Sequence, residues 1–140
     1  MATVELRFSA LPEHVRTARL VAAAVARRAG VDESVLDEVR LAVGEACSRA
    51  VGLHQRGGIG GAVRVALIDQ EKRFLIEVED EAGLDTVPTA AGSAEGIDPD
   101  EDTLGLAVLT GLVEDLEVTS GTGGGLIRMS WPVSVDALAV

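Results

Sequence analysis

The sequence predicts an α+β fold, a two-layer sandwich in which helices cover one face of a mixed, mostly antiparallel sheet. Two long segments space their apolar residues three and four apart, as buried helices do, and five shorter segments have the pattern of strands. The predicted order is strand, helix, helix, strand, strand, helix, strand, strand. With 140 residues, 47% of them hydrophobic and only 2% aromatic, we expect a single domain over residues 1–140 with an aliphatic core.

The first half of the chain is predicted to contain one strand and two helices. Their expected ranges are residues 4–8 for the strand, and 13–29 and about 33–53 for the helices. Pro12 suits a first helical turn, and Gly30 is a plausible C-terminal stop. Asp32 is expected to be the N-cap of the second helix. That helix should end before the glycine-rich stretch 57–61.

The second half is predicted to contain two pairs of strands separated by a long irregular segment and a helix. The expected ranges are strands at 63–67 and 74–78, an irregular segment at 81–103, a helix at 104–114, and strands at 116–120 and 126–131. The polar link 69–73 predicts a hairpin, and the glycine-rich run 121–125 predicts a second turn. An irregular segment as long as 81–103 is usually functional or mobile.

Charge narrows the classes of partner. The formal net charge of −11, from 23 acidic and 12 basic residues, argues against nucleic acid and against an anionic membrane, and it favours a basic protein partner. The N-terminus lacks a basic and an apolar region, so we expect no signal peptide, and no apolar run reaches membrane-spanning length. A cytoplasmic location is therefore expected.

Four side chains outside the motifs have simple expected roles. Cys47 is the sole cysteine, so no intrachain disulfide can form, and we expect an inert buried thiol. Trp131 is expected to fill the core. His14 and His54 belong to no metal-ligand cluster and are expected to be exposed.

The second predicted helix carries a carboxylate among apolar positions, in the stretch LDEVRLAVGEACSR. Its buried stripe is formed by Val35, Leu36, Val39, Val43, Cys47, Ala50 and Val51. Glu45 lies off that stripe, and Arg49 follows one turn later on the same side. The alternative interpretation of Glu45 is a solvated carboxylate. An ion pair between Glu45 and Arg49 would contribute only about 0.3–0.5 kcal/mol if exposed.

Two further motifs follow. The strand 74–79 runs into Asp80-Glu81-Ala82-Gly83, and the third predicted helix is preceded by Thr103-Leu104-Gly105-Leu106. An aspartate at a strand end is also a common turn residue, and a threonine before a helix is also a common N-cap. These structural alternatives remain open at the sequence level.

In order and over nearly the whole chain, the three motifs resemble the nucleotide-binding motifs of the GHKL ATPases. The resemblance is closest to their small bacterial branch, the anti-sigma-factor serine kinases. It implies that Glu45 is a general base for phosphoryl transfer to a serine, and that Asp80 accepts a hydrogen bond from the adenine amino group. It also implies that Arg49, Gly83, Thr103, Gly105 and Leu106 lie at the nucleotide.

The chain departs from this family at several positions. Arg49 stands where the family has a magnesium-chelating asparagine, and a guanidinium offers no acceptor, so lost magnesium binding is predicted and no metal ligand is assigned. Ala82 replaces the first glycine of the second motif, Gly83 comes one residue early, and Thr103 replaces the first glycine of the third. Five acidic residues would repel a triphosphate: Glu95, Asp98, Asp100, Glu101 and Asp102. Weak or absent binding of ATP or ADP is predicted.

Two functions follow from the resemblance. The first is an anti-sigma-factor-like regulator that acts by partner switching, a homodimer that binds a sigma factor, an anti-sigma-factor antagonist, or both. The alternative is an active ATP-dependent serine/threonine protein kinase that phosphorylates the antagonist. The sequence names neither the sigma factor nor the antagonist, and it leaves open whether nucleotide binds and whether kinase activity remains.

Overall fold

The computed structural model describes residues 2–82, 99–121 and 123–133. Five strands and three α-helices form within these ranges, and a short 3₁₀ turn, Glu33–Val35, precedes the second helix. The strands are β1 (Ala2–Ser9), β2 (Ala62–Asp69), β3 (Arg73–Glu79), β4 (Asp115–Gly121) and β5 (Gly124–Pro132). The helices are α1 (Pro12–Ala29), α2 (Leu36–Gly57) and α3 (Pro99–Leu112).

The five strands form one sheet in the order β1-β2-β3-β5-β4, and each of these pairings is antiparallel. One face of the sheet is apolar and packs against the helices. Its buried side chains are Val63, Val65, Leu67, Phe74, Ile76, Val78, Ile127, Met129 and Trp131. The opposite face carries charged side chains, among them Glu5, Arg64, Glu77 and Arg128, which are joined by ion pairs. The α+β two-layer prediction is confirmed.

The helices begin and end for local reasons that the sequence partly predicts. Gly30 has a φ of +102° and caps α1 with hydrogen bonds to the carbonyls of Ala26 and Arg27, as an αL glycine does. The carboxylate of Asp32 accepts a hydrogen bond from the Ser34 N–H, 2.9 Å away, so it caps the 3₁₀ turn rather than the α-helix itself. Helix α2 continues to Gly57, about one turn beyond the predicted end.

The prediction that residues 99–103 are irregular is wrong, because α3 already begins at Pro99. Proline is favoured at the first helical position, and the acidic residues that follow it, Asp100 to Asp102, suit a helix N-terminus and its dipole. The helix also ends at Leu112, before the predicted residue 114. Thr103 therefore lies inside α3 and is not its N-cap.

The prediction that His54 is exposed is also wrong, because only 1% of its surface is accessible. His54 follows Cys47, Ala50 and Val51 at helical spacing, so it lies on the buried stripe of α2. His14 is half-buried, with its ring centroid 6.0 Å from that of Phe8.

Cys47 and Trp131 are buried as predicted. Burial raises the pKa of the Cys47 thiol to about 12, so the reactive thiolate is scarce at neutral pH. Trp131 does more than fill the core, since its Nε1 donates a hydrogen bond to Glu38 Oε2 at 2.6 Å and thereby ties β5 to the first turn of α2. Within the described ranges, no helix combines the length and apolar character needed to cross a membrane.

Candidate functional site

Glu45, at the middle of α2, lies where α2 and α3 meet. It is half-buried, and a Cβ added to Gly105 would lie 3.9 Å from its carboxyl carbon and from Oε2. Glu45 also lines an open cavity of about 630 Å³ between α1, α2 and α3. The fold therefore brings the first and third sequence motifs together, with the Glu45 carboxylate accessible from the cavity.

Arg49, one turn further along α2, lies toward Asp80 at the end of β3. Its Nε is buried, and its positive charge is one of the influences that lower the pKa of Asp80. Arg49 has a further interaction in the structure, and an ion pair with Glu45 stays a prediction. The first and second motifs thus meet through Arg49 and Asp80.

Asp80 is buried, with 3% of its surface accessible, and it is held by backbone hydrogen bonds. Its Oδ1 accepts from the N–H of Ala82 at 2.9 Å and from the N–H of Gly125 at 3.1 Å. Its own N–H donates to the Gly125 carbonyl at 3.0 Å. Burial raises the pKa of Asp80, and these two hydrogen bonds to Oδ1 oppose that rise. Asp80 therefore has the structural role at the strand end that was the alternative interpretation of this residue.

The glycine-rich turn between β4 and β5 approaches Asp80 so closely that side chains would not fit. Gly124 has a φ of +143°, and a Cβ there would overlap the Asp80 carbonyl oxygen. A Cβ on Gly125 would lie 3.0 Å from Asp80 Oδ2. The absence of side chains at these positions lets the turn pack against the end of β3.

The helices leave part of the edge strand β4 uncovered near the glycine-rich turn. Val118 pairs with the buried Ile127, so it lies on the helix-facing side of the sheet, yet 41% of it is exposed. Ser120, two residues further along the same side, pairs with Gly125 next to Asp80. An open cavity of about 460 Å³ is lined by Asp80, Ser120 and the glycine-rich turn. A cavity that a buried acceptor lines suits a small ligand that donates a hydrogen bond.

His54 joins this region to the C-terminal part of α2. Its Nδ1 lies 3.1 Å from the Gly61 carbonyl oxygen, and its Nε2 accepts a hydrogen bond from the Glu81 N–H at 2.9 Å. None of the three sequence motifs includes His54. A signal existed, since a histidine on an otherwise apolar helical stripe must satisfy its ring nitrogens inside the protein.

Of the remaining predicted site residues, some lie outside the described residues and others lie in α3. Gly83 lies outside the described residues, as does the part of the acidic segment before Pro99. Thr103 is in α3, and its side chain is not described. Gly105 and Leu106 follow in the same helix, both half-buried, and Leu106 packs against the core. Whether these residues contact a nucleotide stays a prediction.

The residues of the candidate site fit the adenine base and the magnesium-bound phosphates of a nucleotide differently. The adenine half is suited by Asp80 and by the glycines that approach it. The magnesium half is not, because Arg49 carries only donors at the position where the resemblance places a metal ligand. The described residues contain no group of three or more His, Cys, Asp and Glu side chains close enough to hold a metal ion. The donor-only side chain of Arg49 is thus the feature that does not fit a metal ion at this position.

A second surface, which we call the helix groove, lies on the outer side of α1 and α2. It is an open cavity of about 490 Å³ lined by Arg16, Arg19, Leu20, Asp37, Arg40 and Leu41. Leu20 and Leu41 are 60% and 57% exposed, the highest values among the large hydrophobic side chains in the described ranges. The groove is continuous with the cavity at Glu45, because Arg16, Arg19 and Leu41 line both.

Comparison with known proteins gives concordant results. The family model described as the histidine kinase-like ATPase domain matches residues 8–131. The chain is 31% identical over 135 residues to the serine-protein kinase RsbW of Bacillus pumilus, with 86% of this chain and 80% of that protein covered. It is 28% identical over 125 residues to the anti-sigma F factor of Clostridium acetobutylicum, with 87% of each chain covered.

The fold is also similar to a solved structure. A Mycobacterium tuberculosis protein containing RsbU and RsbW domains superposes with a TM-score of 0.70 at 18% identity, and the match covers 95% of this chain. The chain spans 33% of the length of that solved protein. At this identity the similarity concerns the fold.

Proposed function

Because this chain belongs to the family of histidine kinase-like ATPase domains, we propose that it is an anti-sigma-factor-type regulator that acts by partner switching. It binds a sigma factor and releases it when an anti-sigma-factor antagonist competes. Two relatives, named a serine-protein kinase and an anti-sigma F factor, support this role. A regulator of transcription initiation of this kind acts in the cytoplasm.

The observation that carries the proposal is the helix groove. Exposed leucines ringed by arginines are typical of a protein-binding surface, where apolar side chains contribute affinity and charges set the choice of partner. Three arginines and one aspartate line the groove, so the segment of the sigma factor that enters it carries acidic and apolar side chains. The net charge of −11 does not forbid this, because charges more than about 8 Å apart are largely screened at physiological salt.

The test is a binding assay between the purified protein and each alternative sigma factor of the source genome. Leu41→Asp places a charge in the apolar part of the groove, and we expect it to weaken binding of the cognate sigma factor at least tenfold. Gln70→Asp, in the exposed β2–β3 turn, adds the same charge on the sheet layer and should leave binding unchanged. Equal effects of the two variants, or no binding by any sigma factor, would overturn the proposal.

The proposed nucleotide site binds ATP or ADP weakly and without magnesium. Asp80 supports adenine recognition, and Arg49 removes the oxygen ligand that magnesium needs. Calorimetric titration with ATP, once with magnesium and once with a chelator, measures both properties. A submicromolar dissociation constant, about 8 kcal/mol or more of binding free energy, would contradict this part of the proposal.

The second candidate function is the active serine kinase, and the position of Glu45 favours it. The carboxylate is accessible from the cavity at the end of the helix groove, so a serine on a bound partner could reach it. Incubation with labelled ATP and magnesium, with and without the antagonist, separates the two functions. Transfer of label to a serine of the antagonist, lost in Glu45→Gln, would establish the kinase and exclude the regulator without activity.

A further inference from the structure

His54 joins three segments that are distant in sequence. It is a residue of α2, it contacts the Gly61 carbonyl at the start of β2, and it accepts from the Glu81 N–H just after β3. With 1% of its surface accessible, it cannot replace these partners with water. One bond therefore fixes the start of β2 relative to α2, and the other fixes the residue after β3 relative to α2.

The two partners determine the protonation of the ring. A carbonyl oxygen is only an acceptor, so Nδ1 must carry a hydrogen to bond it, and a backbone N–H is only a donor, so Nε2 must have its lone pair available. Only the neutral Nδ1–H tautomer satisfies both. In the other tautomer a carbonyl would face a lone pair and two N–H groups would face each other.

The Glu81 N–H is one of three backbone N–H groups whose hydrogen bonds hold the Asp80 turn. Asp80 Oδ1 accepts from Ala82, the residue after Glu81, and from Gly125 across the sheet. If the Glu81 N–H lost its acceptor inside the protein, the turn would have to move to find another. A movement at Glu81 would shift the Asp80 carboxylate relative to Gly125.

Gly61 contributes through the side chain it lacks. A Cβ at Gly61 would overlap Glu81 Oε1, so the Glu81 side chain lies over this glycine while the Glu81 N–H contacts His54. The backbone and side chain of Glu81 are thus both held by the segment 54–61. Because of this second contact, the residue that bonds His54 is held at two points.

We propose that His54 is a positioning residue for nucleotide binding. Its neutral Nδ1–H imidazole ties α2 to the Asp80 turn and so holds the Asp80 carboxylate beside Gly125. The inference rests on the proposed nucleotide site, and it assigns to that site a residue that contacts no substrate. The part of the nucleotide that this site binds is the adenine base, because Asp80 is the acceptor that the turn presents.

Two substitutions separate the two ring nitrogens. The amide of His54→Asn sits near the position of Nδ1 and can still donate to Gly61, but it leaves the Glu81 N–H without an acceptor. The amide of His54→Gln reaches the position of Nε2 and supplies an oxygen for that N–H. We expect amide hydrogen exchange at Glu81, Ala82 and Gly125 to become roughly tenfold faster in His54→Asn and to stay near wild type in His54→Gln.

Titration with ATP in the presence of chelator gives the functional readout. His54→Asn should bind roughly tenfold more weakly, and His54→Gln should retain most of the affinity, although both variants alter the same buried site. A purely structural role of His54 would lower thermal stability in both variants without this difference in affinity. Equal loss of affinity in both would overturn the proposal.

The wild-type protein provides a test that requires no variant to fold. Long-range proton–nitrogen correlation spectra should show a protonated Nδ1 and an unprotonated Nε2 at His54, and the opposite tautomer or an imidazolium would overturn the proposal. If wild type binds no nucleotide while exchange at Glu81 responds as expected, the proposed nucleotide site fails and the role of His54 in positioning Asp80 stands.

Discussion

Under the proposed function, Arg49 is the residue that decides which half of a nucleotide the chain recognises. On one side of α2, Glu45 meets α3 at Gly105, and one turn later Arg49 lies toward Asp80. A guanidinium at that position is a fixed positive charge with five donors, suited to a carboxylate or a phosphate oxygen but not to a metal ion. The same side chain therefore favours an ionised Asp80 and disfavours magnesium.

We predict that Arg49→Asn makes nucleotide binding depend on magnesium. The substitution restores an oxygen acceptor at the metal position and removes a cation from the neighbourhood of Glu45 and Asp80. Binding of the sigma factor should persist, since Arg49 does not line the helix groove. ATP titrations of wild type and variant, each with magnesium and with chelator, measure the change. A strong magnesium effect in wild type that the variant leaves unaltered would show that Arg49 does not occupy the metal position.

We predict that Asp80→Asn stabilises the fold at neutral pH while it weakens nucleotide binding. The pKa of Asp80 is raised from 3.8 because the carboxyl is buried, so its contribution to stability is fully present below about pH 3.8 and is lost as the pH rises through the raised value. Asparagine keeps Oδ1 for the N–H groups of Ala82 and Gly125 and carries no charge, but its amide nitrogen cannot accept from adenine.

Denaturant unfolding of wild type and Asp80→Asn at about pH 3 and about pH 7 checks this sign. The stability of the variant relative to wild type should increase with pH. A difference that stays constant across this range, or ATP affinity that survives the substitution, would argue against the assigned roles of Asp80.

The hairpin of β4 and β5 is the element that forms the wall of the site opposite α2. Its register places Gly121 opposite Gly124 and Ser120 opposite Gly125, so the turn reaches the end of β3. The Asp80 N–H donates to the Gly125 carbonyl and so continues the β3–β5 pairing past Glu79, while the Gly125 N–H donates to the Asp80 side chain. The hairpin therefore has to keep its register for Asp80 to keep its partners.

We predict that Gly124→Ala and Gly123→Ala differ sharply although they are neighbours. At Gly124 the φ of +143° disfavours any side chain, and a Cβ would overlap the Asp80 carbonyl oxygen, so we expect a loss of about 2 kcal/mol or more. At Gly123 a Cβ would meet no atom within 4 Å, so we expect a change below about 0.5 kcal/mol. Free energies of unfolding from urea titration compare the two, and similar values would contradict the close approach of the turn to Asp80.

Considered as a whole, the molecule has two candidate functional surfaces on one scaffold. The candidate nucleotide site lies between α2, the end of β3 and the β4–β5 turn, and the helix groove lies on the outer side of α1 and α2. Glu45 is accessible from the cavity that continues the groove, so a partner bound there would approach the site. The sheet face opposite the helices carries paired charges, and β1 and β4 form the two edges of the sheet.

We predict that the protein self-associates into a homodimer. The resemblance to anti-sigma-factor kinases implies this state, and the outer edge of β1 pairs with no strand of the described ranges, so it offers backbone groups to a second copy. Sedimentation velocity at tens of micromolar protein, a concentration chosen for an interface of roughly micromolar affinity, measures the state. A monomer under these conditions would count against it.

The sequence by itself determined the element order, the two-layer arrangement and the order of the motifs, because these depend on local periodicity and on residues that begin or end helices, such as Gly30. Glu45 stands out as a carboxylate on a helix whose inward positions are apolar, and Asp80 was selected through the resemblance to the second family motif. Their roles at a nucleotide stay predictions. The sequence placed the start of α3 too late, because the acidic residues after Pro99 suggested a solvated loop although they also suit a helix N-terminus.

Only the tertiary structure decided what these residues meet. Helical spacing allowed Arg49 to pair with Glu45, but the packing of α2 on the sheet directs Arg49 toward Asp80. No local sequence pattern encodes this proximity, because Arg49 and Asp80 are far apart in the sequence. His54 was missed for the same reason. Its partners, Gly61 and Glu81, become neighbours only when β2 and β3 pair beside α2, and a ring that would be solvated on an isolated helix becomes a buried link between three segments.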